Sequence, residues 1–391
     1  MKFLLDSQNV LDYLVEHKIC NQKDKKIEVK LIAAKNFNLL LSLQDGRKFL
    51  VKQERQVSKD KTAEEFLHEW HNHQLFELFP ELNSISLSLS KVLHFDADNS
   101  IIIFEYLSEY LDLSEFYLKE NVFPIKIAAA VGRLLGTIHQ ATFERQEYKE
   151  FLAQRQKHSE RNSAAVVASG LRNLKPEVFG MYPRDGIRFL TLYQRYDSLG
   201  KAITELSETF QSSCSTHNDL KLNNILLHEE WESILYQTEY TEHAVIRLID
   251  WERGTWGDPA SDLGTIVASY LQFWLNSLIV NKDIPIAQTL HLARTPLDLL
   301  QPSISTVVEA YLESFPEIIE HRPDFIRRVV QFAGLDLIQK IQAMIQHQKS
   351  FGNIGIFTLQ VAKSLLCQPE NSMSTIFGDS GKQLIHPTVS I

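Results

Sequence analysis

The chain is poor in cysteine, carries no basic surplus and lacks a long apolar run free of polar side chains. Cys20, Cys214 and Cys367 are scattered, odd in number and show no CxxC spacing. That argues against a disulfide framework or a cysteine zinc site, and the expected setting is reducing and cytoplasmic. Lys and Arg number 40 against 49 Asp and Glu, a formal net charge of −9. Such a balance lacks the electrostatic footprint that duplex nucleic acid or an anionic membrane requires, so neither is expected as a partner. Met1-Lys2-Phe3-Leu4-Leu5-Asp6 meets a carboxylate before the apolar core of a secretion signal can form. Residues 263–280 carry no charge, but Ser269, Gln272, Asn276 and Ser277 interrupt them and Asp262 opens them like a helix cap. A buried core helix is expected there, not a membrane span. No internal repeat is visible.

What is present is a globular composition, 44% hydrophobic over 391 residues, enough for two lobes with their own cores. Residues 1–26 read as a helix, with Val10, Leu11, Leu14 and Val15 at helical spacing, followed by a lysine-rich turn. Residues 29–43 and 48–52 read as strands joined through the hairpin signal Gln44-Asp45-Gly46-Arg47. A helix over 62–79 has Glu64 and Glu65 in its first turn and Pro80 past its end, and two short strands follow at 91–95 and 100–106. This small sheet-based lobe ends near residue 107. Beyond it the chain reads as mostly helical: 125–143 is amphipathic, 145–165 is a polar exposed helix or loop, 190–210 is a helix, and more helices run from 262 to 366. The tail after 368 is expected to be loosely held.

The chemistry is concentrated in His217-Asn218-Asp219-Leu220-Lys221-Leu222-Asn223-Asn224 and in Ile249-Asp250-Trp251-Glu252. An Asp, an Asn five residues on and a second Asp ending an apolar strand are the three groups that phosphoryl transfer from a nucleotide needs. Asp219 would orient and deprotonate the attacking hydroxyl. Asn224 and Asp250 would hold Mg²⁺ against the phosphates. Asn223 reads as a solvated turn residue, His217 as structural, and Glu252 either as a second-metal contact or as a surface carboxylate.

His217-x-Asp219-x₄-Asn224, Ile249-Asp250-Trp251-Glu252 and Gly257-Asp258-Pro259-x-x-Asp262-Leu263 together resemble the aminoglycoside phosphotransferase/choline kinase group of the protein-kinase-like fold. The resemblance extends, more weakly, over most of residues 28–367. It implies a bilobal α+β fold, with a small N-terminal β-sheet lobe carrying one main helix and a larger, mostly helical C-terminal lobe. The nucleotide-binding lobe would be 1–107 and the catalytic and acceptor-binding lobe 108–391. The implied reaction moves the γ-phosphoryl group of ATP, with Mg²⁺, to a hydroxyl of an aminoglycoside-, sugar- or amino-alcohol-like molecule. Phe49-Leu50-Val51-Lys52 resembles the strand whose Lys contacts the α/β-phosphates, with Glu69 or, one turn earlier, Glu65 as its carboxylate partner. Phe104-Glu105-Tyr106-Leu107 would be the interlobe linker, where the backbone of Glu105 and Leu107 reads adenine. Asp262 would brace the catalytic loop. Leu134-Leu135-Gly136-Thr137-Ile138-His139 resembles the family's long helix, with His139 assigned to packing.

The chain departs from the family pattern at several points. Asn218 stands where the family usually has glycine between His and Asp. The phosphate-covering turn, Lys35-Asn36-Phe37-Asn38, keeps the family's Asn as Asn38 but has no glycine. A polar insertion at 228–243 would form a surface hairpin. His68-Glu69-Trp70-His71-Asn72-His73 is not HExxH and is expected to be a solvated helix surface. Lys221 resembles the Lys of Ser/Thr protein kinases and joins the expected nucleotide contacts, which keeps a protein-kinase alternative open. Asp250 and Pro259 are too close for an activation segment, however, and neither DFG nor APE is present. The other alternative is a non-catalytic nucleotide-binding regulator. Glu115, Glu120 and Asp258 would permit a cationic acceptor.

Overall fold

The protein is described here by a computed structural model covering residues 3–21, 24, 28–33, 35–54, 64–155, 163–172, 184–236, 245–279 and 292–378. The chain divides into two compact units. The first comprises residues 1–115, 146–159 and 223–255, and the second 116–145, 160–222 and 256–391.

In the first unit, α1 (Val10–Glu16) precedes strands β1 (Glu28–Ile32), β2 (Phe37–Ser42) and β3 (Lys48–Gln53), and α2 (Glu65–Leu78) follows. A short helix α3 (Asn83–Ser86) leads into β4 (Val92–Asp96) and β5 (Ile101–Glu105). The five strands form an antiparallel sheet in the order β1-β2-β3-β5-β4. Side chains alternate across it, so Leu39, Leu41, Phe49, Val51, Ile101 and Ile103 share one face, which Leu5, Val10, Tyr13 and Leu14 cover. Phe66 of α2 packs on the other face with Val92, Ile102 and Phe104. Period two puts Asn38 and Lys52 on this α2 side.

Two expectations change here. The N-terminal helix is only α1, because Lys18 takes φ 60° and stops it, while Leu5, outside any helix, donates its N–H to Gln53 Oε1 at 2.9 Å. Apart from Asp24, the lysine-rich turn lies outside the described residues. The run 29–43 is two strands, since a turn at Lys35-Asn36 breaks it after the rung Ile32–Asn38.

A second sheet of the same unit joins β6 (Tyr110–Asp112), β8 (Ile225–His228) and β9 (Ile246–Leu248), all antiparallel. Helix α4 (Leu113–Glu120) follows β6. Helix α6 (Gln146–Arg155) is not simply exposed: Tyr148, Phe151 and Leu152 are buried, and Tyr148 O–H donates to Glu81 at 2.6 Å. The insertion at 228–243 begins as a helix, α10 (Trp231–Tyr236), not a hairpin; residues 237–243 lie outside the described residues.

The second unit is built on helices α5 (Ile125–Thr142), α7 (Ser163–Arg172), α8 (Arg184–Gln194), α9 (Asp197–Glu208), α11 (Pro259–Asn276), α12 (Leu297–Ser314), α13 (Glu317–His321), α14 (Phe325–Gln348), α15 (Asn353–Cys367) and α16 (Pro369–Phe377). Strand β7 (Cys214–Thr216) leads into the segment that carries Asp219, and β10 (Thr255–Gly257) precedes α11. Helices α5 and α12 approach so closely that a Cβ on Gly132 would fall 2.2 Å from the Val307 carbonyl oxygen.

The helix expected over 190–210 is two, α8 and α9, separated at Arg195-Tyr196. Helix α11 starts earlier than expected. Pro259 pre-sets its first turn and Asp258, not Asp262, is the cap, accepting from Ala260 N–H at 3.1 Å. Helix α11 is buried along most of its length, and among the described residues no helix is long and apolar enough to cross a membrane. The tail beyond 368 is ordered as far as α16, because Met373, Ile376 and Phe377 are buried; residues 379–391 lie outside the described residues.

Candidate active site

The first unit holds a cavity of about 420 Å³, within the usual range for a small-molecule site. Ile32, Leu50, Phe104, Leu226 and Ile249 supply apolar walls; Asn38, Lys52, Glu69 and Asp250 line it too, with Glu105, Tyr106 and Leu107. Asn38 and Lys52 are rung partners across β2–β3. Asn38 Oδ1 is buried with no hydrogen-bond partner among the described residues.

Lys52 Nζ donates to Asp250 Oδ1 at 2.5 Å and lies 5.0 Å from the Phe104 ring centroid. Burial works to lower the lysine's pKa, but the charges of Glu69 and Asp250 outweigh it and the net shift is upward. Glu69 is fully buried on α2, and neither carboxylate oxygen meets a hydrogen-bond donor in good geometry among the described residues. Burial therefore pushes its carboxyl up to about 8, with Lys52 pulling the other way. The carboxylates around Lys52 favour its charged form, while burial works against the charge of Glu69. Glu65, one turn earlier, is occupied by an ion pair with Lys35. Glu69 is thus the α2 carboxylate that faces Lys52.

Asn224 and Asp250 both belong to the first unit. The Asn224 carbonyl accepts from Ile249 N–H at 3.0 Å, which ties the two segments together where β8 meets β9. Asn224 is buried and Asn223 is exposed. The strand does not run on to Asp250 as expected. It ends at Leu248, and Asp250 takes a left-handed conformation, φ 61°, before a tight turn at Trp251–Arg253. Asn72 holds that turn from α2, donating to Trp251 O at 3.1 Å and Gly254 O at 2.9 Å. Glu252 follows the turn, not the strand, and is partly buried; burial, then Glu65 and Asp250, raise its pKa.

In the second unit, Asp219 lies 3.1 Å from Lys221 Nζ. The loop that carries them is held by Asp262, whose carboxylate accepts His217 N–H at 2.6 Å and Asn218 N–H at 2.8 Å. Asn218 has φ 60°, so it fills a left-handed position, and its side chain donates to Thr216 Oγ1 at 3.0 Å. Asn is the residue that tolerates this conformation best after glycine, which explains how the loop does without one.

Residues 29–281 match the sequence model of the phosphotransferase enzyme family, APH. The chain belongs to this family. No curated protein matches it detectably in sequence. Among solved structures it is similar to amicoumacin kinase hAmiN in complex with AMP-PNP, Ca²⁺ and Ami, at 11% identity and TM-score 0.53, over 97% of each chain. It is also similar to a choline/ethanolamine kinase family protein from Mesorhizobium loti, at 14% identity and TM-score 0.51, over 95% of this chain and 99% of that one. The fold is therefore the bilobal kinase-like α+β fold, and the protein is a phosphotransferase.

Four features of this phosphotransferase were hidden in its sequence. His139 does more than pack: it is buried, with Nδ1 2.9 Å from Tyr311 O–H and Nε2 3.4 Å from Asp262 Oδ2. Asp258 cannot serve a cationic acceptor, because it is buried against Arg328 at 2.7 Å and Arg322 at 3.1 Å. Asp336 on α14 is nearly enclosed, 2.9 Å from Lys340; burial raises its pKa, and it feels the charges of Asp219 and Lys221. The histidine-rich stretch of α2 is no solvated surface either. Glu69, Asn72 and His73 are buried, and His73 Nε2 meets Ser90 Oγ at 3.1 Å. Among the described residues no three His, Cys, Asp or Glu side chains gather as a metal cage.

Proposed function

We propose that this protein moves the γ-phosphoryl group of ATP to a hydroxyl of a small molecule of the aminoglycoside, sugar or amino-alcohol kind. One observation carries the reading. The first unit holds a cavity that combines apolar walls suited to a base with the polar groups of Lys52, Asn38 and Asp250. Lys52 sets its ammonium against the α/β-phosphates, and Glu69 holds the lysine from α2. The backbone at Glu105 and Leu107 reads the adenine edge.

A divalent ion suits the residues present. Asn224 and Asp250 offer the hard oxygen donors that Mg²⁺ prefers, and an ion completed by phosphates and water needs no all-protein cage. When bound there, Mg²⁺ would neutralise charge on the phosphates. Asp219 orients the acceptor hydroxyl and takes its proton, and Lys221 adds a positive charge beside the same group.

The test is ADP release across a panel of hydroxylated metabolites, with wild type and Asp219→Ala compared. Asp219→Ala keeps nucleotide binding and loses transfer, whereas Asp250→Ala weakens Mg²⁺-dependent nucleotide binding. Equal turnover by wild type and Asp219→Ala would remove the assignment of the base.

A further inference from the structure

The turn between β1 and β2 reads Ala33-Ala34-Lys35-Asn36 and contains no glycine. Glycine lets backbone amides close onto a phosphate; a turn made of residues with Cβ atoms gives up much of that approach. This turn starts directly beyond the rung Ile32–Asn38, and both residues of the rung line the cavity. Asn38 is also the rung partner of Lys52. Lys35 therefore lies midway along the short segment that joins the two cavity-lining residues of this rung.

The first unit carries two ammonium–carboxylate pairs close to this rung in sequence or strand pairing. Lys52 pairs with Asp250, and Lys35 pairs with Glu65, the first residue of α2 and one turn before Glu69. Glu65 Oε2 is buried with no hydrogen-bond partner among the described residues, so the carboxylate is only half used. Glu252 feels both Lys35 and Lys52, as well as Glu65 and Asp250, which places the two pairs in one electrostatic neighbourhood. Three carboxylates, those of Asp250, Glu65 and Glu252, thus face two ammoniums. A triphosphate entering here meets strong repulsion unless each lysine turns from its carboxylate to the phosphates.

We propose that Lys35 is a second phosphate-binding lysine, which leaves Glu65 for the terminal phosphates of the bound nucleotide. Its ammonium supplies the contact that a glycine-rich turn would supply through backbone amides. The Lys35 side chain is 63% exposed. An exposed ion pair contributes little net stability, so the exchange meets little resistance. A lysine also suits the task, as a compact charge on a flexible stem. The inference rests on reading the cavity as the nucleotide site.

The experiment is equilibrium titration of ATP and of AMP, in Mg²⁺, on wild type, Lys35→Met, Lys35→Arg, Glu65→Gln and the Lys35→Met/Glu65→Gln double variant. Lys35→Met is expected to weaken ATP on the order of tenfold and leave AMP unchanged, with Lys35→Arg restoring most of the loss. Glu65→Gln, which removes the competing carboxylate, tightens ATP, and that gain vanishes in the double variant. Equal weakening of ATP and AMP by Lys35→Met would make the residue merely structural and overturn the proposal, as would unchanged ATP affinity. A wild-type protein that binds no Mg²⁺–ATP at all would remove the underlying nucleotide reading instead, before any variant is compared.

Discussion

The Asp262 carboxylate accepts the Asn218 backbone N–H at 2.8 Å, across 44 residues of sequence. It also accepts His217 N–H at 2.6 Å and lies 3.4 Å from His139, which reaches Tyr311 at 2.9 Å on its other side. The loop bearing Asp219 is therefore fixed through its backbone from the first turn of a buried helix. Asp262→Ala strands two N–H groups, at a cost of about 1–3 kcal/mol for each one left buried without a partner. Asp262→Asn keeps one acceptor oxygen and loses less. Urea unfolding should rank wild type above Asp262→Asn and Asp262→Ala last, with ADP release falling further than Mg²⁺–ATP affinity. An unmoved midpoint for Asp262→Ala would remove the bracing role.

Asn218 supplies a second test on the same loop. Its φ of 60° penalises any side chain that cannot tolerate the left-handed region. Asn218→Ala should cost about 1–2 kcal/mol from that strain, besides losing the Thr216 contact at 3.0 Å. Asn218→Gly loses the same contact but relieves the strain, so its urea midpoint should fall between those of wild type and Asn218→Ala. If Ala and Gly proved equally stable, strain at this position would not be what selects Asn.

Local chemistry announces itself in this sequence, and distant partners do not. Lys52 is readable because it closes the apolar triplet Phe49-Leu50-Val51 ahead of an acidic helix, where it resembles the family's strand lysine. Residues 125–143 read as a helix because their apolar spacing is helical, and α5 ends within one residue of that expectation. Glu65 and Glu69 share a helical face one turn apart, so spacing alone leaves the choice between them open. Lys35 resolves it by occupying Glu65. The pairing of Asp258 with Arg322 and Arg328 joins residues 64 and 70 positions apart, and no local pattern encodes it. The left-handed turn at Asp250 was missed for a related reason. It is held from α2 by Asn72, whose own neighbourhood reads as an ordinary polar helix.

Glu69 predicts a pH dependence of stability. In the folded protein its carboxyl is raised to about 8 from an ordinary 4.5. Between those values the folded state holds a proton that the unfolded chain has released. The associated stability is complete below the lower value, declines as pH rises through the window, and is gone above the upper one. Its size is on the order of a few kcal/mol. Glu69→Gln does not titrate, so its stability should lack this decline. Urea unfolding of metal- and nucleotide-free protein across the window compares the two, and parallel profiles would count against a buried, proton-bearing Glu69.

The cluster around Asp258 makes the sharpest claim about folding. Its carboxylate is fully buried, caps α11 through Ala260 N–H at 3.1 Å, and meets Arg328 at 2.7 Å and Arg322 at 3.1 Å. Both arginines are nearly buried themselves, so Asp258→Asn leaves two guanidinium charges out of water without a counter-ion. Breaking a buried pair from one side typically costs about 3–5 kcal/mol, much more than an exposed pair would. Salt separates the two cases. An exposed pair is screened over roughly 3 Å at about 1 M salt, whereas enclosed charges are screened far less. The deficit of Asp258→Asn in urea unfolding should therefore persist at high salt. The exposed pair Arg327–Glu370, at 2.8 Å, serves as the control, because Glu370→Gln should have a small effect that salt erases. A deficit for Asp258→Asn that disappears in high salt would mean that water reaches the arginines and that the cluster is not a buried one.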